Sequence, residues 1–218
     1  YLIIGQDYHK NKMFKAKEIE GELKYAVRRQ EETIYHRQLK MTSPALNRFR
    51  DLVLYNLEAG QAVLTDNNDI RIYTDGKEKF HALIEEMKRA KKYIHVQYYI
   101  IRNDEVWQDI EKVLIEKAHE GVEVRVLFDS MGCRTMHKRD WDRLKCEGIR
   151  VAEFFPAILG QLQMRVNYRN HRKIVVIDGK VGFVGGFNVG REYIGKDEKF
   201  GYWRDTHLCI EGAAVTSL

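Results

Sequence analysis

Between Asn170 and Asn188 two short apolar, β-branched runs stand on either side of Asp178-Gly179. Ile174-Val175-Val176-Ile177 precedes the pair and Val181-Gly182-Phe183-Val184 follows it. Asp-Gly between such runs is the local signature of a tight β-hairpin. With Asp178 and Gly179 as the two central turn residues, Ile177 is expected opposite Lys180, Lys173 opposite Val184, His171 opposite Gly186 and Asn188 opposite Arg169. Alternation along a strand puts His171 and Lys173 on one face. Directly opposed residues share a face, which adds Gly186 and Asn188. One face of one hairpin would then offer an imidazole, an ammonium, an amide and a gap without a side chain. That is a pocket for a phosphate. Asp178 has the other parity and lies in the turn, so its own role reads as structural.

The chain before the hairpin alternates between strand and helix patterns. Ser43-Pro44 marks a helix start, with Leu46, Phe49, Val53 and Leu57 at helical spacing and Gly60 at its end. Strands are expected at residues 69–73, 93–101, 122–128 and 149–155. Between them, Phe80, Leu83, Ile84 and Met87, then Val106, Ile110, Val113 and Leu114, then Trp141 and Leu144, mark apolar helix faces. After the hairpin, a loop from Arg191 to Tyr202 leads into a last strand over residues 203–212. Such alternation predicts an α/β fold, a mixed but largely parallel sheet with helices on both faces. Reactive residues then belong at strand ends and in the loops beyond them.

The 218 residues are enough for one good-sized domain with an extension. Residues 1–42 read as a basic, helix-prone segment and residues 43–218 as the folded domain. Tyr1-Leu2-Ile3-Ile4-Gly5 followed by His9, Lys10, Lys12, Lys15 and Lys17 has the look of the cytoplasmic end of a membrane span. A solvated arm fits those residues as well. The net charge of +5 suits an anionic partner, phospholipid or nucleic acid. Cys133, Cys146 and Cys209 are odd in number and lack metal-ligand spacing, so reduced, mostly buried thiols are expected.

A phosphodiester is cleaved by a nucleophile at phosphorus, positive charge on the non-bridging oxygens and a proton for the leaving alkoxide. No His, Cys and Asp set here has metal-ligand spacing, so no metal or other cofactor is expected and side chains must supply the charge. An imidazole is neutral and nucleophilic near its ordinary pKa of about 6.5. His171 can therefore attack phosphorus and form a phosphohistidine. Lys173 can hold a phosphoryl oxygen as a point charge, and Asn188 can add a directed hydrogen bond. Of the other histidines, His95 reads as a core or strand-end residue, and His207 as one that could reach the site. His9, His36, His81, His119 and His137 read as surface residues.

The hairpin resembles the phospholipase D superfamily motif, His-x-Lys-x4-Asp followed by Gly-Gly-x-Asn, in His171, Lys173, Asp178, Gly185, Gly186 and Asn188. Tyr98-Tyr99-Ile100-Ile101-Arg102, the run Arg125 to Gly132, Asn167 to Lys173 and Phe200 to His207 extend the likeness. They resemble the N-terminal half of bacterial cardiolipin synthases over roughly residues 45 to 218. The resemblance implies one half of the phospholipase D fold, with His171, Lys173 and Asp178 as the catalytic set and Asn188 and Gly186 toward substrate. It also implies an acid on the strand after the motif, Asp205, to orient the imidazole. A salt bridge to Arg204 or Arg191 is the plainer use of that acid.

The implied reaction is phosphatidyl transfer between two phosphatidylglycerols, giving cardiolipin and glycerol. The alternative is a phosphodiesterase on the same scaffold, a lipid hydrolase or a single-motif homodimeric nuclease, and a non-catalytic binding module is a third. The implied partners are phosphatidylglycerol and other anionic phospholipids, the membrane, and a second catalytic half or second copy; nucleic acid is not expected. The implied place is the cell membrane, with the domain on the cytoplasmic side and spanning helices upstream of residue 1. The family brings two motifs together and this chain carries one, so an exposed apolar seam is expected where the second half docks.

Overall fold

The computed structural model describes residues 24–30, 32–33, 47–154 and 169–218. The expectations for residues 1–23, His36, Ser43-Pro44, Leu46, Phe155 and Asn167-Tyr168 fall outside these residues. The chain divides into two compact units, Tyr1–Thr65 and Asp66–Leu218. This division comes later than the boundary expected after residue 42. In the first unit, helix α1 (Arg50–Gly60) buries Leu57 with Val27, backed by Val53, Leu54 and Val63. Among the described residues no helix is long and apolar enough to cross a membrane.

The second unit runs β1 (Asp69–Asp75), α2 (Gly76–Arg89), β2 (Tyr93–Tyr98), α3 (Glu105–His119), β3 (Glu123–Asp129), α4 (Lys138–Cys146), β4 (Arg150–Phe154), β5 (Ile174–Ile177), β6 (Val181–Gly185) and β7 (Arg204–Glu211). Short 3-10 turns cover Arg191–Ile194 and Ala213–Ser217. Two helices start on side-chain caps. Asp75 accepts from the N–H groups of Lys77 and Glu78, and Asp104 from those of Val106 and Trp107. Each cap satisfies donors that the first helical turn leaves free. Asp104 also accepts from the Arg191 N–H at 2.7 Å, which ties the 3-10 turn after the hairpin to the start of α3.

The seven strands form one sheet in the order β1-β7-β6-β5-β2-β3-β4. Only β2 with β3 and β3 with β4 are parallel; the other four pairings are antiparallel. The sheet is mixed, as expected, but not largely parallel. The hairpin β5-β6 enters beside β2 antiparallel, and β7 and β1 extend that half of the sheet. Helical periodicity upstream of residue 155 carried no information about this return.

The helices α2, α3 and α4 pack on one face, where Ile94, Val96, Val124, Val126, Val175, Ile177 and Phe183 are buried. Trp141 of α4 stacks on Phe128 with ring centroids 3.9 Å apart. Within Asp66–Leu218 the described α-helices share this one face, where both faces were expected to carry them. Across the opposite face the register places Ile72, Leu208, Val184, Ile174, Gln97, Leu127 and Ala152 in one row through all seven strands. Ile70 and Ile72 on that face are 51% and 66% exposed. A groove of about 640 Å³ runs along it, lined by Tyr93, Gln97, Leu127, Val176, Val215 and Leu218 among others. His95 lies there, half-buried and 3.3 Å from Glu123, not in the core. All three cysteines are free; Cys133 and Cys209 are buried and Cys146 is exposed.

Candidate active site

The hairpin forms around Asp178 and Gly179, both at positive φ, 54° and 67°. The Lys180 N–H donates to the Ile177 carbonyl at 3.0 Å and closes the two-residue turn. The ladder, however, begins with Ile177 opposite Val181 and continues with Ile174 opposite Val184. Lys180 is thus an extra residue of the bulge type, and the pairing is one residue out from the expected register. A one-residue slip exchanges faces. The Gly185 N–H points to the Lys173 carbonyl at 3.4 Å, so the partner of Lys173 is Gly185, not Val184.

The gaps left by the two glycines are therefore used differently from the expectation. A Cβ on Gly185 would sit 2.5 Å from the Cα of His207 and from the Thr206 carbonyl oxygen. A Cβ on Gly186 would strike the carboxylate of Asp205. The space beside Gly186, expected to be open for phosphate, holds that carboxylate.

His171 and Lys173 do come together. Lys173 Nζ lies 2.7 Å from Nδ1 of His171 and donates to the His171 carbonyl at 2.8 Å. The imidazole is exposed, while Lys173 is buried. The ring of Tyr99, just past β2, packs against the imidazole with centroids 4.3 Å apart and also lies under the ammonium. Burial, together with the charge of Lys173, holds the imidazole below its ordinary pKa, and Asp129 pulls the other way. Burial pushes the Lys173 amine down to about 8, against an upward pull from Asp205.

The remaining expected site residues stand apart from this pair. Asp178 closes the far end of β5, five residues and about 17 Å from Lys173 at ~3.3 Å per residue. Its carboxylate accepts from the N–H groups of Lys91, Lys92 and Tyr93 at 2.8, 2.7 and 2.9 Å. These bonds tether the turn to the start of β2 and keep the acid below the usual carboxylate range, against a burial effect that acts upward. These are the contacts of a structural clasp, in keeping with its parity, and they leave Asp178 apart from the pair it was expected to join. Asn188 is buried, with its oxygen accepting from the Ile100 N–H at 3.1 Å and its amide donating to the Tyr193 hydroxyl at 3.0 Å. It braces the segment after β6 against the segment after β2. Asp205 accepts from the Thr206 N–H at 2.7 Å, and its charge acts on the Lys173 amine. Among the described residues no group of three or more His, Cys, Asp or Glu could hold a metal ion.

Three residues near the site carried little or no sequence signal. Lys79 of α2 is fully buried, with its amine 2.8 Å from the Tyr98 hydroxyl and over the ring of Phe80. Burial puts that amine well below its ordinary pKa. His207 is fully buried across Gly185 from Lys173, and neither ring nitrogen has a hydrogen-bond partner among the described residues. Burial, with the charges of Lys79 and Lys173, pushes it down to about 2. Asp129, at the end of β3, is fully buried. Its position at a strand end before Ser130-Met131-Gly132 is the one local hint of its use.

Residues 83–201 match the family model described as cardiolipin synthase, PLD-like domain. The chain is 45% identical over 219 residues to cardiolipin synthase 2 of Staphylococcus epidermidis, covering 100% of this chain and 45% of that protein. It is equally similar to the cardiolipin synthase of Oceanobacillus iheyensis, of which it covers 46%. The chain thus spans about half the length of the curated relatives it matches. Among solved structures it resembles NucT from Helicobacter pylori, with a TM-score of 0.52 at 14% identity, covering 69% of this chain and 91% of that one. The phospholipase D family member Nuc from Salmonella typhimurium gives a TM-score of 0.50 at 17% identity, covering 69% and 89%. At such identities these two likenesses speak for the fold alone.

Proposed function

The chain belongs to the cardiolipin synthase family with its phospholipase D-like domain, and from that premise we propose that it is one catalytic half of a phosphatidyltransferase. The reaction takes the phosphatidyl group of one phosphatidylglycerol onto His171, releases glycerol, and passes the group to a second phosphatidylglycerol to give cardiolipin. The observation that carries this reading is the 2.7 Å approach of Lys173 Nζ to His171 Nδ1 beside an exposed imidazole.

The contact has a consequence for the order of events. If the charged lysine donates to Nδ1, the ring proton resides on Nε2, and Nε2 has no lone pair for attack. A phosphate arriving at the site offers the ammonium a better acceptor. The lysine then turns to a phosphoryl oxygen, the ring proton moves to Nδ1, and Nε2 is free to attack phosphorus in line with the departing glycerol oxygen. The resting pair is a closed form, opened by the anion it is built to meet. Electrostatic stabilisation of the pentacoordinate oxygens falls to Lys173.

One imidazole cannot serve as nucleophile and as acid toward the same leaving group. The proton for glycerol comes from a second motif, in the remaining half of the protein or in a second copy. We place the protein at the membrane that holds its substrates, with this domain on the cytoplasmic side. The apolar row through Ile72, Leu208 and Ile174 is a surface on which a further part of the protein can seat.

The test is incubation of the full-length protein with phosphatidylglycerol. Cardiolipin plus glycerol is the expected result. Phosphatidic acid as product would make the protein a hydrolase instead, and no turnover would reduce the domain to a binding module.

A further inference from the structure

The loop after β3 reaches the imidazole of His171 from two sides. On one side, Gly132 brings its backbone against Tyr99 so closely that a side chain there would overlap the Tyr99 carbonyl. Cys133 Sγ also contacts that carbonyl at 3.5 Å and accepts from the Ile101 N–H at 3.2 Å. Tyr99 in turn carries the face of the imidazole. On the other side, Asp129 accepts from the N–H of Asn170, the residue before His171, at 3.1 Å. Its second oxygen accepts from the Met131 N–H at 2.9 Å, and the Arg169 guanidinium stands 3.8 Å away. Arg169 also donates to the Ser130 hydroxyl at 3.2 Å.

We propose that Asp129 is the positioning carboxylate of the site, the part that the sequence had given to Asp205. The proposal rests on His171 being the reacting residue. Asp129 fixes the backbone on the entry side of His171, and its negative charge acts on the ring. A carboxylate taken wholly out of water is costly unless donors and opposite charge compensate it. A strand end that needed only an acceptor for the Met131 N–H would be served by an amide at less cost. The charge is what an amide cannot supply: it favours the cationic ring that forms when Nε2 carries phosphorus and Nδ1 keeps its proton. Among the described residues, the groups that act on the ring are Lys173, just before β5, which opposes that charge, Tyr99 from the segment after β2, and Asp129 from β3. Arg169 stands 3.8 Å from Asp129, and Asp205 of β7 acts on Lys173.

The experiment is an NMR titration of the His171 imidazole in the histidine-labelled chain, assigned with a His171→Ala spectrum. In Asp129→Asn the ring is expected to titrate at lower pH than in the parent, with its shift perturbed by loosening at Asn170. An unchanged titration in a folded Asp129→Asn protein overturns the proposal. Should that variant not fold, amide hydrogen exchange at Asn170 in the parent chain decides. Protection well beyond that of a free amide is expected, and exchange at the free rate overturns the clamp. Neither readout needs turnover, so a chain that made no cardiolipin could still pass and an active one could still fail.

Discussion

The two ends of strand β5 use polar residues in opposite ways. At the turn end, Asp178 accepts three backbone N–H bonds, which take up most of its acceptor capacity. At the other end, Lys173 has one carbonyl and one ring nitrogen for company, and the imidazole it touches is exposed. The first arrangement is heavily committed and holds two strands together. The second is under-committed, with a displaced lysine pKa, which is the usual condition of groups that do chemistry. Residues of one sequence motif thus divide into a structural clasp and the pair that we propose to be reactive.

The sharpest way to break this contrast is His171→Ala, expected to lower cardiolipin formation in the full-length protein by at least about a thousandfold. Full activity in that variant would end the nucleophile assignment. Lys173→Met comes next, with a loss of roughly a hundredfold in kcat, the scale of removing one transition-state charge donor. Asp178→Ala probes the other end. Its cost belongs in stability, about 2–3 kcal/mol by urea unfolding, while kcat per folded molecule stays within about twofold. A large kcat defect in a well-folded Asp178→Ala protein would erase the division between the ends.

The pH dependence sharpens the comparison further. Transfer needs Lys173 charged, and its pKa lies at about 8, below the ordinary lysine value of 10.5. Activity should fall as pH rises through about 8, and Lys173→Arg should carry the charge past that limit. A rate–pH profile flat to pH 10 in the parent would contradict it. The smallest expected effect concerns His207. Its pKa is about 2 folded against the ordinary value of 6.5, so the unfolded chain binds more protons between those values. Stability is therefore lost as pH falls below about 6.5. His207→Leu should unfold at lower pH than the parent in an acid titration followed by circular dichroism.

Much of this was legible in local pattern. The strand positions, the hairpin turn at Asp178-Gly179 and the pairing of His171 with Lys173 on one face all follow from periodicity two and turn chemistry. The register did not follow. The turn hydrogen bond at Lys180 is the expected one, yet the ladder begins a residue later, a difference too small for local propensity to decide. Its effect is large: Gly185 takes the place opposite Lys173, Asp205 fills the space at Gly186, and Asn188 turns into a brace. Nor could spacing show that the loop at Asp129, about forty residues upstream, closes on the backbone at Asn170.

What the amino-acid sequence determined by itself was an α/β domain with an imidazole and an ammonium two positions apart at a strand end, because strand alternation and hairpin chemistry act between near neighbours. Which carboxylate serves which cation, which glycine gap stays empty and which sheet face lies open were decided only by tertiary packing. Those outcomes depend on approaches between segments far apart in the chain, where a shift of one residue exchanges the two faces of a strand.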